Sequence, residues 1–248
     1  MIDDDALEAI GRIGSRIGVQ MTDEASQMAS ALRLGDGGIT VTRTMTMPSS
    51  VATAPRAPQT AVAARRVSQI VDAAARIVDE RGAERLTTAA IAQATGLAIG
   101  SVYRYFPDRV AILVELGRRS RERLHARFAT AFEIRQPTLE QAIDAFVDVV
   151  AQHYRAEPSV RSIGMGDRVD LGPQRERIQW TEIAAPVVDA FERDHHVPHA
   201  LAAVAIDTAG PMVDALVELG FRGHATGEPS FLQHARLVAR GCIRRTIG

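Results

Sequence analysis

The chain has few aromatic residues, about 4% of 248, and a single cysteine, Cys242. One cysteine excludes a disulfide framework and makes the reducing cytoplasm the expected compartment. Lysine is absent, so all 29 basic residues are arginine. The bias covers surface and motif positions alike, which marks coding preference rather than a functional choice. No run approaches the 18 or so apolar residues of a membrane helix, so no membrane partner is expected. The first residues, "MIDDDALEAI", are acidic where a secretory leader is basic, which argues against export. What is present is 46% hydrophobic residues, a globular proportion, and a formal net charge of −1.

Three segments differ in composition. In residues 1–60, Ile10, Ile13, Ile17 and Met21 recur at helical spacing, but Gly11, Gly14 and Gly18 interrupt them. The stretch "GDGGITVTRTMTMPSSVATAPRAPQT" then reads as a linker compatible with disorder. Two readings fit this extension equally. It is a small regulatory helix, or it is upstream sequence joined by a misplaced start, with Met45 or Met47 the true beginning. From Ala63 onward the pattern is all-helical, without strand alternation or an internal repeat. A first compact unit is expected over 61–108 and a larger helical one over 109–248. Helices are predicted to about Arg81, over Thr87–Gly96 and Ala98–Tyr105, and from Asp108 to the "QPT" break at 136–138. Further ones are expected near 138–156, 172–195, 199–222 and 229–247.

Three of the scarce aromatics fall in "GLAIGSVYRYFPDR", Gly96 to Arg109. Two short helices separated by "TGLAIG" fit a helix-turn-helix, whose second helix enters the DNA major groove. Gly96 permits the turn. Gly100 has no side chain, so the start of the second helix can approach DNA closely. Ser101, Tyr103 and Tyr105 offer hydroxyls to phosphates, and Arg104 offers a bidentate guanidinium to guanine or phosphate. Arg109 follows the Asp108 cap, placed to clamp flanking backbone. Val102 and Phe106 are expected to pack inward. Tyr103 and Tyr105 lie two apart on a helix and cannot both face one core. Residues 61–127 carry twelve arginines and seven acids, a net of +5, on an otherwise mildly acidic chain.

On these residues the segment "TTAAIAQATGLAIGSVYRYFPDRVAIL" resembles the DNA-binding domain of the tetracycline-repressor (TetR) family. Thr87 and Thr88 stand at the helix start, Gly96 at the turn, and Gly100, Ser101, Val102 and Tyr103 in the recognition helix. Tyr105 and Arg109 match further motif positions. Ala98 departs from the usual Ser or Thr, which removes a side-chain cap worth about 1 kcal/mol. The resemblance implies an all-α fold: a three-helix N-terminal DNA-binding domain, then a helical ligand-binding and dimerisation domain. The DNA contacts it implies are Arg65, Thr87, Thr88, Ala98, Ile99, Gly100, Ser101, Tyr103, Arg104, Tyr105 and Arg109. Arg65 and Arg66 fit a backbone or minor-groove arm and a solvated helix start equally well. The implied partners are a palindromic operator in double-stranded DNA, a second copy of the chain, and a small hydrophobic or amphipathic ligand. Release by ligand, co-repression and activation stay open.

In the second half, "ALAAVAIDTAGPMVDALVELGF" and "FLQHARLVARGCIRRTI" are richly apolar for surface helices, as a two-fold dimer requires. A kink is expected at Gly210-Pro211. Ligand-pocket candidates mix apolar surface with polar tips: Phe146, Val150, His153, Tyr154, Met165, Trp180, Ile183, Val187 and Met212. Core packing accounts for any single one of them as well. "SIGMGDR", Ser162 to Arg168, reads as a loop or short helix relaying ligand state to the helix that joins the domains. No cofactor, metal or catalytic site is expected. "DHHVPH", Asp194 to His199, has ligand-type residues, but neighbouring histidines diverge on a helix. Nucleophile elbows, phosphate loops and His-Glu-x-x-His patterns are missing from the sequence.

Overall fold

The computed structural model describes residues 61–163 and 179–248, which are helical with no strand among them. The extension up to residue 60, Met165 and most of "SIGMGDR" lie outside the described residues. Helix α1 spans Ala61–Arg81, and a 3-10 turn follows at Ala83–Arg85. Next come α2 (Thr88–Thr95), α3 (Ile99–Tyr105) and the long α4 (Arg109–Phe132). The rest is α5 (Leu139–Ala156), α6 (Pro158–Ile163), α7 (Trp180–Ile183), α8 (Ala185–His195), α9 (His199–Phe221) and α10 (Pro229–Ile247).

The helix starts follow capping chemistry. Thr87, Asp108 and Thr138 each accept a backbone N–H three residues on, opening α2, α4 and α5. Gly96 ends α2 with φ +69°, the left-handed conformation that a non-glycine residue adopts only at a cost. Ala98 caps α3 by backbone alone, without a side-chain hydrogen bond.

Apolar side chains gather in two cores. The smaller joins Ile70, Val71, Ala74 and Ile77 of α1 to Ile91, Val102 and Phe106, then to Ile112, Leu113 and Leu116 of α4. The larger runs from Leu124, Phe128 and Phe132 of α4 through α5, α7 and α8 to α9 and α10. Helix α4 therefore contributes its first half to one core and its second half to the other. On the outside, α10 lies against α5 through three ion pairs one helical turn apart: Arg236 with Asp148, Arg240 with Asp144, and Arg244 with Glu140.

Two sequence expectations are corrected, and one helix is added to them. The helix expected over 172–195 is broken within its described part, with Ala184 at φ −103°, ψ 27° between α7 and α8. Pro186 is the cause: it has no N–H to continue α7, yet suits the first turn of α8. Helix α6, opened by Pro158, was not anticipated. Helix α9 does have the length and apolarity to cross a bilayer, with mean hydropathy 1.5 over 18 residues. Its Ala202, Ala205, Ile206, Ala209, Val213 and Val217 are buried, however, so here it is the central core helix. It continues through Pro211.

Candidate nucleic-acid interface and the buried polar cluster

Helix α3 is held from within and open outside. Val102 and Phe106 are buried in the smaller core, while Ala98, Ile99, Gly100 and Arg104 are exposed. Ser101 is half-buried. Tyr103 is 50% exposed, whereas Tyr105 packs against the core, so the two rings do divide between solvent and interior. Thr88 Oγ1 donates to the Tyr103 hydroxyl at 3.1 Å, which links α2 to α3 and fixes the ring. Thr87 Oγ1 is engaged by Ala90 N–H at 3.0 Å. Arg65 and Arg109 are exposed near the starts of α1 and α4. A Cβ built on Gly100 meets nothing within 4 Å. Its φ lies outside the left-handed region. Among the described residues nothing therefore requires glycine there.

The pocket candidates divide. Phe146, Val150, Trp180, Ile183 and Val187 share the larger core with Tyr154. Phe146 stacks on Phe128 with centroids 5.4 Å apart and meets Trp180 edge-on at 6.0 Å. Met212 does not join them. It is 47% exposed on the outer side of α9, because Val213 and Asp214 turn inward. Tyr154 donates to Asp214 Oδ1 at 2.7 Å, satisfying a buried hydroxyl against a buried carboxylate.

His153 belongs to a polar cluster that sequence reasoning only partly found. It is fully buried, with Nε2 2.8 Å from Ser120 Oγ. Ser120 donates to Glu157 Oε2 at 3.2 Å, and Arg123 grips the same carboxylate at 2.7 and 2.8 Å. The proton count follows. Ser120 has one hydrogen and gives it to Glu157, so His153 Nε2–H must donate to Ser120. Nδ1 is then a bare acceptor, 3.6 Å from Glu157 Oε1 and without a hydrogen-bond partner among the described residues. Burial holds the imidazole pKa down to about 4, opposed by Glu157 and aided by Arg127 and Arg123. Burial alone would raise the Glu157 carboxyl, but the Arg123 fork outweighs it and the pKa is lowered. Ser, His and Glu here are not a nucleophilic site, since the serine proton goes to the carboxylate and Ser120 is buried. The legible signal for Ser120 was its place on the inward stripe of α4, between Leu116 and Leu124; Arg123 is exposed beside that stripe.

This cluster predicts a pH dependence. The folded pKa of His153 lies below its unfolded value, so the unfolded chain binds the extra proton between about 6.5 and 4. The stabilisation is complete above about pH 6.5 and is lost as pH falls toward 4, roughly 3 kcal/mol in all. Thermal melts from pH 7 to 4.5 should show His153→Gln losing less stability than the parent. Parallel profiles would refute a buried neutral imidazole.

The histidines of "DHHVPH" have separate settings. His195 meets Phe191 edge-on, His196 takes φ 57° at the end of α8, and His199 lies 3.8 Å from Asp189. Among the described residues no three ligating side chains converge.

The structure thus joins a helix-turn-helix with one exposed face to a second helical core through the shared long helix α4. Residues 70–116 match the family model described as bacterial regulatory proteins, tetR family. The chain thus resembles that family over a segment that runs from α1 through the helix-turn-helix into α4. Its fold is similar to that of a TetR-family transcriptional regulator from Streptomyces coelicolor, with TM-score 0.59 and 24% identity over 73% of this chain and 99% of that one. It is also similar to the TetR family repressor AlkX from Dietzia sp. strain DQ12-45-1b, implicated in biodegradation of n-alkanes. There the TM-score is 0.50, with 16% identity over 73% of this chain and 97% of that one. No curated protein sequence matches the chain.

Proposed function

We propose that the protein is a cytoplasmic, homodimeric repressor that reads a palindromic operator through α3 and is released by a small hydrophobic or amphipathic ligand. The observation that carries the DNA reading is the exposed, unburdened start of α3 at Ala98, Ile99 and Gly100, beside Tyr103 and Arg104. Arg65, Thr87, Thr88, Ser101, Tyr105 and Arg109 flank that face as further phosphate contacts. Pairing of two copies through α9 and α10 is supported by exposed Leu201, Val204 and Met212 on α9 and Leu237 on α10. Met212 fits this interface better than a pocket. The ligand is proposed to enter among Phe146, Val150, Trp180, Ile183 and Val187, with His153 and Tyr154 as the polar edge. Residues 61–108 act as the reading unit and 109–248 as the sensing and pairing unit.

Selection of bound DNA from a random pool, titrated at several salt concentrations, tests this. A palindromic winner with steep salt dependence is expected; no enrichment would overturn the operator reading. Arg109 supplies a sharper check. A cation in the first turn of α4 opposes the helix dipole by roughly 0.3–1 kcal/mol. Among the described residues Arg109 has no ion pair to offset that cost. Arg109→Ala should therefore leave stability unchanged or slightly higher while weakening operator binding about tenfold. Tyr103→Phe should also weaken binding, with the fold kept. Unchanged affinity in both would remove them from the interface.

A further inference from the structure

A groove separate from both the α3 face and the larger core lies between α1 and α4. It encloses about 500 Å3, within the range of small-molecule sites. Its floor is apolar, made by Val71, Ala75 and Leu116. Its rim carries three guanidiniums, Arg76, Arg119 and Arg123, against the single carboxylate of Asp72.

The three arginines are not equivalent. Arg123 is committed to Glu157, and Arg119 donates through Nε to Glu115 at 2.9 Å. Arg119 also leans across the groove, with Nη1 3.4 Å from Ser68 Oγ and 3.9 Å from Asp72. That leaves outer N–H edges of Arg119 and Arg123 for a newcomer. Arg76 is exposed and has no hydrogen bond or ion pair among the described residues. Five donors in a fixed fork thus stand at the rim beside an apolar floor.

We infer that this groove binds a small amphipathic organic anion, its acid group held by Arg76 with Arg119 and its apolar body on Val71, Ala75 and Leu116. The argument is complementarity: guanidinium forks match the two oxygens of a carboxylate or phosphate, and the floor offers area that water covers poorly. Such a ligand bridges α1, which belongs to the reading unit, and α4, which belongs to both cores. The site is independent of the ligand proposed for the larger core.

Octyl phosphate is the probe, titrated into the full chain by calorimetry and by NMR of the arginine Nε–H and Gln69 side-chain amide signals. Inorganic phosphate and 1-octanol are the headgroup-only and tail-only arms. One octyl phosphate per chain is expected, shifting Gln69 and arginine signals, with both control arms at least about tenfold weaker. Arg76→Glu, which breaks no internal pair, should weaken binding by at least about tenfold with an unchanged melt. Trp180, the sole tryptophan, is buried in the larger core and reports on ligand there. Its emission should stay constant as the groove fills. The inference is overturned if octyl phosphate fails to bind up to its solubility limit, or if Arg76→Glu leaves binding intact. It is equally overturned if binding changes Trp180 emission and leaves Gln69 unmoved.

Discussion

Gly100→Ala should give a protein that melts higher and binds operator DNA roughly ten- to a hundredfold more weakly. The stability gain follows from helix propensity. Alanine in place of glycine within α3 is worth up to about 1 kcal/mol, because the unfolded chain loses freedom and no internal contact is disturbed. A Cβ at this position projects into open space. The loss of affinity follows from the same open space: if the start of α3 lies against DNA, an added methyl sits at the contact and costs about 1–3 kcal/mol. Melting curves and anisotropy titrations on the selected operator separate the two effects. Equal affinity would show that α3 docks by another edge.

Gly210→Ala is expected to act in the opposite sense, on the fold. A Cβ there would lie 2.3 Å from Trp180 Cγ and Cδ2 and 2.9 Å from its Cβ. Those atoms are the root of the indole, not a flexible tip, and Trp180 also meets Phe146 edge-on. The side chain cannot swing away without moving α7 against α9. The expected cost is about 1–3 kcal/mol, lowering the melting temperature by roughly 2–10 °C in a chain of this size. Trp180 emission should shift as the ring is displaced, and Gly210→Val should be worse. A melt and spectrum like the parent's would mean that α7 is free to move, and would weaken the case for a close-packed α7–α9 contact.

The contrast between these glycines shows what could be read early. Gly100 stood out in the sequence because it sits in a recognisable motif, with Tyr103 and Arg104 beside it. Gly210 appeared only as half of a Gly-Pro kink signal. Its importance depends on Trp180, thirty residues away, landing on it. Helix boundaries show the same division. Caps at Thr87, Asp108 and Thr138 and the turn at Gly96 were legible because each acts on its own backbone within three or four residues. The break at Ala184 is equally local, since Pro186 sits in the first turn of α8. Met212 lies apart from the other pocket candidates for another reason. Composition marked α9 as apolar all round, and only packing decides which side faces inward.

The polar cluster was half visible. The sequence offers His153 as a polar tip of a ligand pocket, yet its partners come from α4 and from the end of α5. No spacing rule links Ser120 to His153 across a helix pair. Their meeting, and the orphaned Nδ1 that follows from counting protons, exist only once α4 and α5 are packed.

By itself the sequence determined an all-helical chain, a helix-turn-helix at residues 87–106, its inward anchors Val102 and Phe106, and its outward glycine. These depend on interactions within one or two helical turns, which short-range chemistry encodes directly. Tertiary structure alone decided that α4 serves two cores, that Met212 faces outward, and that Trp180 closes on Gly210. It also decided that three arginines from two helices share one groove. Each of those outcomes joins residues far apart in the chain, and packing, rather than local propensity, selects which of them meet.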